Sequence, residues 1–336
     1  EATEDQLSQA ELLSIQQNLQ YQLARTYRNQ ANTYADGTND QIASLQRAIT
    51  ALKKPLTQLA DEDPLVANIY LALLACHREL KQFDEEGWLF FEDVFDADEV
   101  ALLNREAHRI FAMDRQEVFR EKDGTTARTA FAAQNYNDVY HRLGRHPRLV
   151  NPVKQLLGGD VYMHQFKINA KAAFNGDVWQ WHQDFGTWHR DDEMPEPRAM
   201  NIALFLEDVT EFNGALMFIP RSHKAGVIEA GHDLKTTSYP LWTIDDETIT
   251  RLVDEGGIIA PKGKAGSVIM FNSNLVHGSP SNMSPFDRTI VYLSLCHVDN
   301  HIRRFKRAEW IAHRDFTPIE CLPDDCLKDE SAVAAE

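Results

Sequence analysis

The sequence predicts a mainly β protein, a sandwich or barrel with flanking helices, preceded by an N-terminal helical region. Three observations predict it: short apolar runs rich in β-branched residues after about residue 160, turn dipeptides between them, and a Gln-, Leu- and Ala-rich texture with almost no glycine over residues 1–82. Strand candidates are 161–170, 178–183, 200–206, 215–219, 267–271 and 289–297. Asn175-Gly176, Asn213-Gly214, Lys262-Gly263 and Pro280-Ser281 punctuate them as turns. Helical patterns at about 97–122 and 147–158 would lie outside that core.

The N-terminal region divides into three helical stretches. One break falls at Asp36-Gly37-Thr38-Asn39, where glycine ends a helix and Thr or Asn caps the next. The other falls at 61–64, with Asp63 as cap and Pro64 in the first helical position. Ile42, Leu45, Ile49, Leu52 and Leu56 recur at steps of three and four and give the middle helix an apolar face that must dock on something.

Composition narrows the class. With 43% hydrophobic and 25% charged residues the chain is apolar enough to fold, and its 336 residues accommodate a large catalytic domain with a smaller companion. A formal charge of -17 repels phosphate backbones and anionic lipid, so nucleic-acid and membrane partners are not expected. The longest membrane candidate, 67–76, has about ten residues where about twenty are needed, and reads as a buried helix. The chain opens at Glu1 with neither a methionine nor a signal region, which suggests a trimmed N-terminus and a cytoplasmic protein. Cys76, Cys296, Cys321 and Cys326 are scattered and read as plain thiols; only the last two lie close together, and no second pair completes a zinc site.

His182 and Asp184, in VWQWHQDFGTW, are two residues apart in a segment that reads as a strand, so both would project from one face towards one metal. A bare His-x-Asp is weak, because His189-Arg190-Asp191 and His313-Arg314-Asp315 repeat it. The first repeat, in HRDDEMPEP, reads as a solvated loop. The second has the letters of a kinase catalytic loop but lacks its downstream Asn and any preceding Gly-rich loop. The 182 pair stands out because His277 ends the strand-like run GSVIMFNSNLVHGS and Arg288 follows eleven residues later. Two His and one carboxylate leave three positions open on iron(II), as in non-haem oxygenases. A 2-oxoglutarate co-substrate would fill two of these and leave one for O2. Its far carboxylate needs a fixed cation, and a guanidinium such as that of Arg288 suits it.

The block from about 83 to 322, some 240 of the 336 residues, resembles the phytanoyl-CoA dioxygenase family, in the branch that includes ectoine hydroxylases and bacterial free-proline 4-hydroxylases. The stretches that carry the resemblance are FDEEGWLFFEDVFDADEV, VYMHQFKINAK, WHQDFGTWHRDDEMPEPRAMNIALFLEDVTEFNGALMFIPRSHKAG, HGSPSNMSP with Arg288, and EWIAHRDFTPIE. It implies a double-stranded β-helix (jelly-roll or cupin-like) core over residues 83–325, with 1–82 as a helical extension of unknown role and 326–336 as a tail. It implies that His182, Asp184 and His277 hold Fe(II), that Arg288 anchors 2-oxoglutarate with Ser279 supporting it, and that Gln165, Asn169 and Lys171 lie near the keto-acid end. Ascorbate would stimulate such an enzyme. Retention of Asp184 favours hydroxylation over halogenation, since halogenases of this type carry a small residue there.

For the substrate, the resemblance implies that Trp188 walls the pocket; Arg128, in the turn-like EKDGTTART, and Arg307 are candidates to bind a carboxylate. HQFKINAK and WHQD resemble the proline hydroxylases, whereas FGTWH resembles the ectoine hydroxylases, so the expected substrate is a small amino-acid-like molecule of either kind. The N-terminal helices could pack on the barrel, form a homodimer contact, or dock a protein partner or a carrier- or peptide-bound substrate. A non-catalytic metal-binding regulatory protein is the alternative from another class, and the intact ligand set with its Arg argues against it.

Overall fold

The computed structural model describes residues 9–32, 44, 47–48, 50–52, 83 and 85–328. Helix α1 (Gln9–Asn32) matches the first expected helical stretch. Of the apolar face expected on the second, Leu52 is buried, while Ile42, Leu45, Ile49 and Leu56, both expected helix breaks and the 67–76 run lie outside the described residues. No described helix is long and apolar enough to cross a membrane.

From residue 85 onwards the chain is mainly β, in antiparallel sheets with helices against them. Strand β1 (Trp88–Phe91) is followed by α2 (Ala97–Phe111), which starts on a reciprocal cap: the Asp96 carboxylate accepts the amides of Asp98 and Glu99, and Glu99 reaches back to the Asp96 amide. The helical pattern expected as far as 122 stops at 111, and β2 (Val118–Arg120) and β3 (Ala127–Phe131) follow. Helices α3 (Asp138–Leu143) and α4 (Pro147–Leu156) precede β4 (Val161–Lys171). Next come β5 (Trp179–His182), α5 (Asp184–Asp192), β6 (Ala199–Phe205) and β7 (Met217–Phe218). A small hairpin, β8 (Gly231–Asp233) and β9 (Leu241–Thr243), leads to α6 (Asp246–Gly256), β10 (Val268–Asn272), β11 (His277–Ser279) and β12 (Arg288–His297).

Seven strands form one sheet in the order β1-β10-β6-β12-β4-β3-β2, and three form another in the order β5-β11-β7. Alternation assigns the faces of the large sheet. Phe166, Ile168, Ile202, Leu204, Val291 and Leu293 point to the outer core, where they meet helical residues such as Leu103 and Val150. Ala203, Phe205, Ile269, Phe271 and Ile290 point inward and meet Phe218 of the small sheet. Both faces are buried, which is why these strands read as nearly continuous apolar runs. Further inner positions on β4, β6 and β12, beyond the apolar pair Ala199 and Cys296, are polar: Gln165, Lys167, Asn169, Asn201, Tyr292 and Ser294, all at most part-exposed. Buried polar side chains are costly unless paired, so this inward-facing set marks where the chemistry sits.

Candidate metal and co-substrate site

Two strands distant in sequence bring the histidines together. His277 of β11 and His182 of β5 are direct antiparallel partners, with ring centroids 4.1 Å apart. Each ring turns Nδ1 towards a carbonyl two residues earlier, His182 to Gln180 O at 2.7 Å and His277 to Leu275 O at 2.9 Å. A carbonyl only accepts, so Nδ1 carries the proton and Nε2 keeps its lone pair.

The expected strand ends at His182, however, and Asp184 opens α5 with Gln183 as N-cap, so alternation along one strand does not explain how the two meet. The start of the helix turns Asp184 back onto the histidines. Its Oδ1 lies 3.7 Å from His182 Nε2 and its Oδ2 lies 3.5 Å from His277 Nε2. One donor atom from each of the three lies within 4.8 Å of the others, the single such grouping among the described residues. Two neutral imidazoles and a carboxylate fit a divalent iron with open positions. Burial, and then the neighbouring His277, push His182 down to about 3, and burial lowers His277. Burial alone would raise the Asp184 carboxyl, but Lys167, His277 and His182 outweigh it and hold the acid well below its usual range. All three are therefore in ligand form at neutral pH.

The rival His-x-Asp pairs are occupied elsewhere. HRDD is helical rather than a solvated loop, and Asp191 and Asp192 are buried because Lys306 and Arg307 neutralise them. His313 Nε2 faces Gln134 Nε2 at 3.0 Å.

Arg288 opens β12 opposite Lys171 and is 1% exposed. Its Nη1 donates to Gly214 O at 3.0 Å, Tyr292 is its side-chain partner, and its Nε has none. Burial lowers its pKa, and among the described residues no carboxylate lies within ion-pair distance of it. A buried cation short of an anion is a carboxylate site in waiting. A narrow cleft lined by Asn169, Ser279 and Tyr292 joins that neighbourhood to His182 and His277. Ser279 lines this cleft, whereas the guanidinium's hydrogen bonds go to Gly214 and Tyr292.

On the other side of His182 and Asp184 a cavity of about 270 Å³ is walled by Trp179, Trp188, Tyr239 and Trp242, with Lys167 and Arg307 as cations. Gln165 lines it and donates to Ile311 O at 2.9 Å. Arg307 Nε and Nη2 grip the Asp192 carboxylate.

Two expected residues are placed differently. Arg128 lies on β3 rather than in a turn; it is fully buried, ion-paired with Glu121 at 3.0 Å and bonded to Val178 O at 2.8 Å. It is absent from the cavity lining and braces the approach to β5 instead. Lys171 Nζ donates to Asp177 O at 2.5 Å and Pro280 O at 2.6 Å, so it ties loops together rather than facing the cleft. Burial, followed by Arg288 and Arg128, pushes it down to about 6.

Residues 83–290 match the phytanoyl-CoA dioxygenase (PhyH) family, well over half of the chain. This chain belongs to the phytanoyl-CoA dioxygenase family. Among its relatives, an ectoine dioxygenase of Nocardia farcinica is 33% identical over 296 residues, covering 83% of this chain and 97% of that protein. An L-proline trans-4-hydroxylase of Streptomyces griseoviridis is 34% identical over 256 residues, covering 73% of this chain and 96% of that protein. The crystal structure of EctD from Sphingopyxis alaskensis with 2-oxoglutarate and 5-hydroxyectoine superimposes with a TM-score of 0.66 at 34% identity, covering 73% of this chain and 86% of that one.

In this phytanoyl-CoA dioxygenase family member, three residues that sequence reasoning passed over belong to the site. Lys167 Nζ lies 3.8 Å from Asp184 Oδ1. Tyr292, pushed up to about 12 by burial, is the side-chain partner of Arg288. Asn201 Nδ2 donates to Asp184 Oδ2 at 2.8 Å. A period of two counted from Gln165 and from Arg288 would have found the first two; Asn201 carries no comparable signal.

Proposed function

We propose that this chain is an iron(II)- and 2-oxoglutarate-dependent hydroxylase of a small amino-acid-like substrate, built on a double-stranded β-helix. The observation that carries the reading is the convergence of His182, Asp184 and His277 beside a cleft lined by Tyr292, the side-chain partner of Arg288, a buried cation with no carboxylate within ion-pair distance among the described residues. Bound iron(II), with 2-oxoglutarate and O2, supplies the oxidising power that couples C–H hydroxylation to release of succinate and CO2. The protein's part is to bind, aim and shield. His182, Asp184 and His277 hold the metal with their Nε2 and carboxylate atoms already turned inward. Arg288 takes the far carboxylate of 2-oxoglutarate, Tyr292 and Ser279 line its path, and Asn169 and Gln165 stand beside the keto-acid end. Trp188 and Trp179 keep water from the reacting carbon, and Arg307, held by Asp192, offers its remaining N–H groups to a substrate carboxylate.

Ectoine-like and proline-like substrates are supported by the names of the relatives and by an aromatic-walled cavity with a cation at its edge. Residues 83–325 form the catalytic domain on this reading, with Cys326 and Leu327 of the tail still held on it through Arg142 and the outer core. Residues 1–82 are an extension that packs on this body or on a second copy, and a cytoplasmic location accords with the free thiols Cys296, Cys321 and Cys326. The test is succinate release with iron(II), ascorbate and a panel of proline, pipecolate, ectoine and other amino acids, followed by mass spectrometry for a gain of one oxygen. If none of them is hydroxylated by iron-loaded protein, the free-amino-acid reading fails. A truncation starting at Gln82 that keeps this activity but loses use of a tethered substrate would reassign the extension to docking.

A further inference from the structure

The three ligand side chains are not held in the same way. His182 and His277 are each oriented by a carbonyl of their own chain segment, whereas Asp184 is oriented from a different sheet position by the side chain of Asn201. Asn201 Nδ2 donates to Asp184 Oδ2 at 2.8 Å, and Asn201 Oδ1 accepts from Ser294 Oγ at 2.6 Å. Asn201 and Ser294 are register partners on β6 and β12, and both are fully buried. The direction of the chain of bonds is fixed from the Asp184 end. A carboxylate only accepts, so a flipped amide would set oxygen against oxygen with no proton between them, and the serine hydroxyl, which can donate or accept, is left to donate. A buried chain of bonds of this kind is rigid, and losing one member leaves its neighbour short of a partner.

We propose that Asn201, aligned by Ser294, is the positioning residue for the Asp184 ligand: by donating to Oδ2 it fixes the carboxylate in the orientation that sets Oδ1 3.7 Å from His182 Nε2 and Oδ2 3.5 Å from His277 Nε2. The proposal rests on the metal reading given above.

The test uses the full-length apoprotein without oxygen, titrated with Co(II) as a stable metal probe against a competing chelator, with each variant's melting curve as the folding control. Asn201→Leu, close in volume but unable to donate, is expected to weaken Co(II) binding by about 10- to 100-fold. Ser294→Thr and Ser294→Val add the same volume but only Thr keeps the hydroxyl, so packing cannot separate them. Thr is expected to retain the wild-type dissociation constant and Val to weaken it several-fold. Equal affinities for the Thr and Val variants, or an Asn201→Leu affinity within about threefold of wild type, overturn the proposal, the expectation for such supporting residues being at least about tenfold. If Asn201→Leu does not fold, the Thr/Val pair decides alone. A wild-type protein that binds no Co(II) overturns the metal reading itself and this proposal with it, whereas a variant series that binds like the wild type overturns only the proposal.

Discussion

Replacing Arg288 with Met probes the co-substrate end most sharply, because binding and stability are expected to move in opposite directions. The guanidinium is 1% exposed, donates to one carbonyl at 3.0 Å, shares Tyr292 and leaves Nε unpaired. Burial lowers its pKa, the sign of a charge that the free protein holds at a cost. Met keeps much of the side chain's length and removes that charge, so the melting temperature should stay level or rise. A ligand carboxylate that pairs with this cation in a water-poor site contributes on the order of 2–5 kcal/mol, so its loss weakens 2-oxoglutarate by about 30-fold to several thousand-fold. Calorimetric titration of iron-loaded protein without oxygen reads this directly. The control is 2-oxopentanoate, which keeps the keto acid but carries a methyl in place of the far carboxylate, and which should bind wild type and Arg288→Met alike. An unchanged 2-oxoglutarate affinity, or an equal loss for both ligands, would refute the assignment of Arg288 as the anchor.

Asp184→Ala should lower iron-dependent succinate release by at least ~100-fold, the upper end of what even a supporting residue costs; full activity would mean that the metal lies elsewhere. Gly214→Ala should weaken 2-oxoglutarate while largely sparing the maximal rate. Gly214 has φ of 78° and its carbonyl holds Arg288, and a Cβ would come 2.8 Å from Pro280 O and 2.7 Å from Lys171 Cδ. The strain, on the order of 1–3 kcal/mol, must be relieved by shifting that turn, and a wild-type KM for 2-oxoglutarate would contradict this. Burial holds His146 and His313 neutral, each pushed down to about 4, while in the unfolded chain they take up protons below about 6.5. Their contribution is therefore fully present above pH 6.5 and lost as pH falls towards 4, on the order of 3 kcal/mol each. Urea midpoints measured between pH 7 and 5 should fall with acid, and His146→Gln should reduce the slope near pH 5 by close to one proton; an unchanged slope would show that His146 already titrates normally in the folded state.

Much of the large antiparallel sheet was legible because its strands are buried and alternate. The expected runs 161–170, 200–206, 267–271 and 289–297 coincide with β4, β6, β10 and β12 to within a residue or so at each end. Strands β2, β3, β8 and β9 were missed because three to five residues are too few to show a period. Of the site, the fold brings His182, Asp184 and His277 within reach of one another, although the stated reason for His182 and Asp184, a shared strand face, gave way to a strand end and a helix start. Arg128 and Lys171 misled because a charged residue in a polar context reads the same whether its head points at a cavity or at neighbouring carbonyls.

The sequence by itself determined the chemistry available: two imidazoles, a carboxylate and a guanidinium within a mainly β chain whose alternation puts polar residues on the inner face of three strands. The tertiary structure alone decided which atoms meet. The pairing of β5 with β11 puts His182 beside His277, and the pairing of β6 with β12 puts Ser294 behind Asn201 and Asn201 behind Asp184. It also decided that, among the described residues, Arg288 has no carboxylate partner while Arg128 and Arg307 already have theirs. The physical reason is that strand register and buried partners are set largely by residues far away in the chain, 93 positions for Asn201 and Ser294 and 115 for Asp192 and Arg307, and no local pattern carries that information.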